Sequence, residues 1–182
     1  MASPLQQPIS EAVRAALAGA RLLALDVDGT LTDGRIVYVG GAELQSFHVH
    51  DGQGLAWLRR AGVELAWITG RGSRATLARA RECGVRALRT GVADKEAALA
   101  AVQEELGVAP AQTVAMGDDL GDLALCARAA LFAAPADARA EVRAAAAIVT
   151  QAAGGAGAVR ELAEAILAAK GLWPGILEAA GR

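Results

Sequence analysis

Residues 22–34, LLALDVDGTLTDG, set an apolar run against two aspartates, Asp26 and Asp28, with a glycine and a threonine directly after them. An apolar run without alternation reads as a strand covered on both faces, as in a parallel sheet. Charged side chains are rarely buried without a partner, so the two carboxylates mark the end of the buried strand. If the strand continued through them they would share one face, and two neighbouring carboxylates resist joint ionisation unless a cation accompanies them. Oxygen donors with no Cys or His cluster nearby suit Mg²⁺ better than zinc or copper. Taken alone, the stretch reads equally well as a strand that ends in an ordinary polar turn.

Further strand-like runs lie at 63–69, 85–90, 113–118, 130–134 and 147–150. Between them, residues 54–62, 71–84, 94–107 and 120–129 carry the apolar spacing, and most of them the terminal glycine, of helices. The βαβα order predicts an α/β fold, a three-layer doubly wound (Rossmann-like) parallel sheet. At 182 residues a second independent core is not expected. The chain therefore reads as one domain over 1–182, with a core at about 20–170 and a C-terminal glycine-rich tail at 153–182. Residues 35–49, RIVYVGGAELQSFHV, break the alternation and read as two short strands around Gly40-Gly41, a β-hairpin flap. A hairpin of this size is marginal by itself, so it is expected to pack on its own core or on another subunit. Between residues 34 and 63 the chain has no room for a further domain beyond it.

A net charge of −2 and 3% aromatic residues offer neither the basic field nor the stacking platforms that nucleic acid requires. Cys83 and Cys126 fall in helix-like segments and read as reduced, packed thiols, which fits a cytoplasmic protein. The N-terminus lacks a basic start and a continuous apolar region, so a signal peptide is not expected. It reads instead as a short amphipathic helix capped by Ser10. No run approaches the roughly 20 apolar residues of a membrane span.

In doubly wound folds, ligands bind beyond the carboxyl ends of the strands, and the polar residues collect there. Thr69-Gly70 ends one strand before a helix, where free N–H groups favour anions. Lys95, at the start of another helix, is placed to neutralise phosphoryl charge. After a further strand, GDDLGD brings Asp118, the best placed as a metal ligand, and Asp122, suited to holding the metal's waters or the loop. Asp119 reads as a helix cap. Together these residues describe a phosphoryl-transfer site.

The ordered set DVDGT (26–30), Thr69, Lys95 and GDDLGD (117–122), each at a strand end, resembles the haloacid dehalogenase superfamily of aspartate-nucleophile phosphohydrolases. With HDGQG, TGR and GGAGAVREL it looks like the small capless branch, over roughly residues 20–170. That resemblance implies Asp26 as nucleophile and Asp28 as general acid/base. It further implies Mg²⁺ held by Asp26, the backbone carbonyl of Asp28 and Asp118, with Asp122 beside them and Thr69 and Lys95 on the phosphate. It also implies a homotetramer associated through the hairpins, with the glycine-rich tail near a neighbouring site. The implied substrate is a sugar-acid phosphate, 3-deoxy-D-manno-octulosonate 8-phosphate; a nonulosonate 9-phosphate is the alternative, and a non-catalytic oligomerisation module a more distant one.

For substrate contacts the expected residues are Thr30, Gly70, Arg71, Arg79 and His50. Arg71 and Arg79 are eight residues apart, a spacing that puts them on one helix face, and arginine suits bidentate carboxylate binding. His50 precedes Asp51-Gly52 where some relatives carry Arg, and Ala156 interrupts the glycine-rich tail; both departures touch substrate selection or tail docking. His48 and His50 without a third ligand read as flap residues rather than a zinc pair. Trp57 and Trp67 read as core, and Trp173 as a tail or interface anchor.

Overall fold

The computed structural model describes residues 9–181; residues 1–8, on which the expectation of no signal peptide rests, and residue 182 lie outside them. In chain order the elements are α1 (Glu11–Gly19), β1 (Leu22–Leu25), β2 (Val37–Val39), β3 (Ala42–Leu44), α2 (Val49–Arg60), β4 (Glu64–Ile68), α3 (Arg74–Cys83) and β5 (Ala87–Arg89). They continue with α4 (Lys95–Leu106), β6 (Thr113–Met116), α5 (Leu123–Cys126), β7 (Leu131–Ala134), α6 (Ala140–Ala145), β8 (Ile148–Val149), α7 (Ala158–Ala169) and α8 (Trp173–Ala180).

Six strands pair in the order β5-β4-β1-β6-β7-β8, all parallel, with Leu25 opposite Trp67 on one side and Met116 on the other. All six strand-like runs of the sequence are present, each somewhat shorter than its apolar run. The side-chain period of two splits every strand between two cores. Leu23, Leu25, Leu65, Trp67, Val114 and Met116 face α1, α2, α3 and α7. Leu22, Ala24, Ala66, Ile68 and Ala115 face α4, α5 and α6. The result is the expected three-layer doubly wound sheet, and β1 is its centre: the chain leaves β1 toward β4 on one side and returns to β6 on the other. That reversal opens a crevice at the carboxyl end of β1, where Asp26 sits.

Helix ends follow local chemistry. Ser10 caps α1 by accepting from Val13 N at 3.2 Å. Ser73 caps α3 and Asp94 caps α4, and both of these helices close on left-handed glycines, Gly84 and Gly107. The hairpin forms as expected, Tyr38 opposite Glu43. Gly40 and Gly41 both have positive φ, 57° and 80°, the requirement of a tight two-residue turn. Its second strand stops at Leu44, short of the expected extent to 49, because His48 becomes the N-cap of α2 and its ring accepts from the His50 N–H. The two histidines therefore begin a helix instead of sharing a strand face.

The segment read as a tail also differs. Residues 158–169 form α7, an amphipathic helix whose Leu162, Ala163 and Ile166 are fully buried against the sheet, so this part of the stretch belongs to the core. Trp173, at the start of α8, meets Trp57 edge to face at 5.6 Å, and Arg160 of α7 lies 4.2 Å over Trp57. This stacking anchors α8 to its own chain. Both cysteines are free thiols, and no helix among the described residues is long and apolar enough to cross a membrane.

Candidate active site

β1 ends at Leu25, and Asp26 is held just beyond it by its N–H donating to Met116 O at 3.0 Å. The chain then turns: Leu31 and Thr32 N–H groups both return to Val27 O. This turn is why the two aspartates do not share a face as a continued strand would require. Asp26, 4% exposed, points to Lys95 Nζ at 2.5 Å. Asp28 faces the other way, accepting from Thr69 Oγ1 at 3.2 Å and Gln45 Nε2 at 2.7 Å.

Asp26, Asp118 and Asp122 bring carboxylate oxygens within 4.8 Å of one another. Asp122, 1% exposed, accepts the N–H groups of Asp118 and Asp119 through Oδ2 (3.0 and 3.1 Å) and Lys95 through Oδ1 (2.5 Å). It thus ties down the loop, one of the two roles the sequence left open for it. Asp119 caps the following 3-10 turn through Leu120 N. Gly29, at φ +98°, lies against Asp118, and a methyl group there would overlap the Asp118 carboxylate. The glycine therefore lets that carboxylate approach the nucleophile turn.

Three carboxylates surround one ammonium group. Burial first, and Asp122 second, push the Asp26 carboxyl up to about 8 against the pull of Lys95. The same two causes push Asp118 up to about 7. Burial by itself would lower Lys95, but Asp26 and Asp122 outweigh it and hold the ammonium above its usual value. Carboxylates raised in this way carry more negative charge than Lys95 alone balances, and an all-oxygen pocket of this charge fits a hard divalent cation such as Mg²⁺.

Lys95 and Thr69 arrive where the sequence expected them, on the two sides of the Asp26–Asp28 turn. Gly70 lies exposed beside Thr69, but α3 begins only at Arg74 and its first turn is capped by Ser73. Thr69-Gly70 therefore precedes the helix by several residues instead of opening it. For the same reason Arg71 and Arg79 do not share a helix face. Arg71 lies before the cap and pairs with Glu43 of the hairpin at 2.9 Å. Arg79 pairs with Glu82 at 2.7 Å, reaches His48 O at 3.4 Å and lies 6.0 Å over the Phe47 ring. It clamps the start of α2.

His50 is exposed on the first turn of α2, with its ring 4.9 Å from that of His48. Among the described residues neither it nor Arg79 reaches the carboxylate cluster. Thr30 is fully buried and donates to Asp118 Oδ1 at 3.1 Å, so in place of contacting substrate it orients a carboxylate. Gln45 went unnoticed in the sequence. It is an ordinary polar residue after a short strand, and only the folding of the hairpin onto α3 brings it to Asp28. The glycine-rich stretch is committed to its own chain as well: Gly155 N donates to Thr30 O at 3.1 Å, and a methyl at Gly154 would overlap Gly29 O.

A family model of haloacid dehalogenase-like hydrolases matches residues 88–162. The 3-deoxy-D-manno-octulosonate 8-phosphate phosphatase of Escherichia coli is 39% identical over 166 residues, 90% of this chain and 88% of that protein. Among solved structures, the phosphatase of that name from Moraxella catarrhalis, in complex with magnesium, phosphate and KDO, superposes with a TM-score of 0.90 at 36% identity. It covers 92% of this chain and 97% of its own. The cobalt-bound deoxy-D-mannose-octulosonate 8-phosphate phosphatase of Haemophilus influenzae gives 0.88 at 35% identity, covering 91% and 98%. With the sheet order, the strand-end carboxylates and this likeness over nine-tenths of its length, the chain belongs to the haloacid dehalogenase-like hydrolases.

Proposed function

We propose that this protein is a phosphoric monoester hydrolase that releases phosphate from 3-deoxy-D-manno-octulosonate 8-phosphate in lipopolysaccharide biosynthesis. The observation that carries the reading is the division of the two aspartates. Asp26 sits among carboxylates beside Lys95, and Asp28 is held apart by Thr69 and Gln45. The E. coli relative's name and the KDO-bound Moraxella structure support the substrate.

In this reading Asp26 attacks phosphorus while the phosphorus–oxygen bond to the sugar breaks, and Asp28 gives its proton to the leaving oxygen. Water then attacks the aspartyl-phosphate, Asp28 takes a proton from it, and Asp26 and phosphate are released. Lys95 neutralises charge on Asp26 and the phosphoryl group, and Thr69 donates to a phosphate oxygen. Mg²⁺ would be held by Asp26, Asp118 and the backbone carbonyl of Asp28, with Asp122 fixing the loop. When bound it supplies positive charge for the phosphoryl oxygens and keeps the nucleophile ionised. Arg71 is the arginine within reach of the hairpin side of the site, and a substrate carboxylate would compete there with Glu43.

The test is turnover of 3-deoxy-D-manno-octulosonate 8-phosphate against a nonulosonate 9-phosphate and simple sugar phosphates. Expected is a kcat/KM at least about tenfold higher for the octulosonate, equivalent to about 1.4 kcal/mol of transition-state preference. A nonulosonate that is turned over better would replace the substrate, and an inert protein would overturn the reading.

The enzyme is proposed to work as a cytoplasmic homotetramer, a location that free thiols suit. The support for assembly is the hairpin, whose Val37, Tyr38 and Val39 are 49%, 66% and 59% exposed. Apolar side chains at this density on a two-stranded sheet favour a partner. Tyr38→Glu is expected to shift the protein to smaller species in sedimentation velocity; an unchanged mass would exclude the hairpin as the interface.

A further inference from the structure

Gln45 lies between β3 and α2, at the foot of the hairpin. Its Oε1 accepts two hydroxyl donors, Ser73 Oγ and Thr76 Oγ1, each at 2.6 Å. Both donors are buried, Thr76 at 1% exposure, and Ser73 is itself the cap of α3. With the oxygen of the amide so engaged, the Nε2 side is left facing Asp28, and it donates to Oδ1 at 2.7 Å. Thr69 Oγ1 meets the other oxygen, Oδ2, at 3.2 Å.

We propose that Gln45 is a positioning residue for Asp28: anchored by Ser73 and Thr76, its amide fixes the rotation of the Asp28 carboxyl and leaves Oδ2, on the Thr69 side, as the atom that exchanges protons with the leaving group. The Gln45 N–H toward Oδ1 is a fixed donor, so that oxygen acts only as an acceptor; the Thr69 hydroxyl, which donates to Oδ2 here, can rotate its single proton to a phosphate oxygen and leave Oδ2 to carry the exchanged proton. The proton given up as the ester bond breaks leaves from Oδ2 and ends on the departing alcohol. The hairpin thereby reaches the chemistry through one side chain, since a shift of β3 relative to α3 moves the amide and with it the carboxyl. This inference rests on the phosphatase reading above, in which Asp28 is the general acid.

A general acid matters most for a poor leaving group. The experiment therefore compares kcat/KM, which reports the step in which the leaving group departs and not the hydrolysis of the shared aspartyl-phosphate, for the sugar-acid phosphate, an alkyl ester, and for p-nitrophenyl phosphate, whose phenolate departs with little need of a proton. In Gln45→Met, of similar volume, the loss is expected to be at least about tenfold greater on the alkyl ester than on the aryl ester, with KM for the alkyl ester changed less than kcat. Thr76→Val removes one anchor without touching Asp28 and is expected to move the same ratio by about threefold. It supplies the measurement should Gln45→Met fail to fold. Equal losses on both esters, or no loss on the alkyl ester, overturn the positioning role while the phosphatase reading stands. A wild type inactive on both esters overturns the two together.

Discussion

Asp26→Asn is expected to lower kcat by at least about 10⁴-fold while the fold persists. The amide cannot form the covalent intermediate, so no residual route runs through that position. The fold is kept because burial and Asp122 already hold the Asp26 carboxyl up to about 8 when no metal is bound. At neutral pH the metal-free protein thus carries a group close to an amide in charge and shape. The amide oxygen can still accept from Lys95, which in addition retains Asp122 at 2.5 Å. A melting temperature within a few degrees of wild type, with turnover gone, is the expected pair of results. Full activity in this variant would remove Asp26 from the mechanism.

The second large effect is that of the metal. A chelator is expected to abolish turnover and Mg²⁺ to restore it; turnover that survives chelation would refute the metal assignment. The stability of the protein gives an independent reading. Asp26 and Asp118 are raised from 3.8 to about 8 and about 7 in the metal-free fold, so between about pH 4 and those values the folded state holds protons that the unfolded chain has released. Stability of the metal-free protein therefore falls as pH rises through that window. Mg²⁺ requires the same oxygens ionised, so its affinity rises with pH as the competing protons leave. At a concentration about 100 times its Kd it adds about 2.7 kcal/mol, or about 5–10 °C in a domain of this size. At a fixed Mg²⁺ concentration the gain in melting temperature is expected to be larger at pH 8 than at pH 6. A gain that falls with pH would show that the ion binds elsewhere.

The residues that the sequence placed well are those whose position follows from the strand ends. LLAL, ELAWI and TVAM are apolar on both faces because helices cover both, so their ends are visible in the sequence as the first polar residues. Asp26, Thr69 and Asp118 follow directly from such ends. Arg71 and Arg79 do not share the helix face that their spacing suggested, because the helix starts later than that phase assumes. Ser73 in RGSRATL is a cap, and a cap two residues after Arg71 removes that residue from the helix altogether. Thr30 went astray for another reason: its polarity suggested a ligand, whereas a buried hydroxyl is satisfied by the nearest acceptor, here Asp118.

By itself the sequence determined the parallel sheet, the hairpin turn at Gly40-Gly41 and the carboxylates at the strand ends, because periodicity, caps and glycine are local properties of the chain. Tertiary structure alone decided how the carboxylates divide. Asp26 joins Lys95, Asp118 and Asp122, and Asp28 is drawn away to Thr69 and Gln45, through partners 17 to 96 residues distant along the chain. No local pattern encodes those pairings, because a side-chain hydrogen bond depends on where two separate elements come to rest on the sheet.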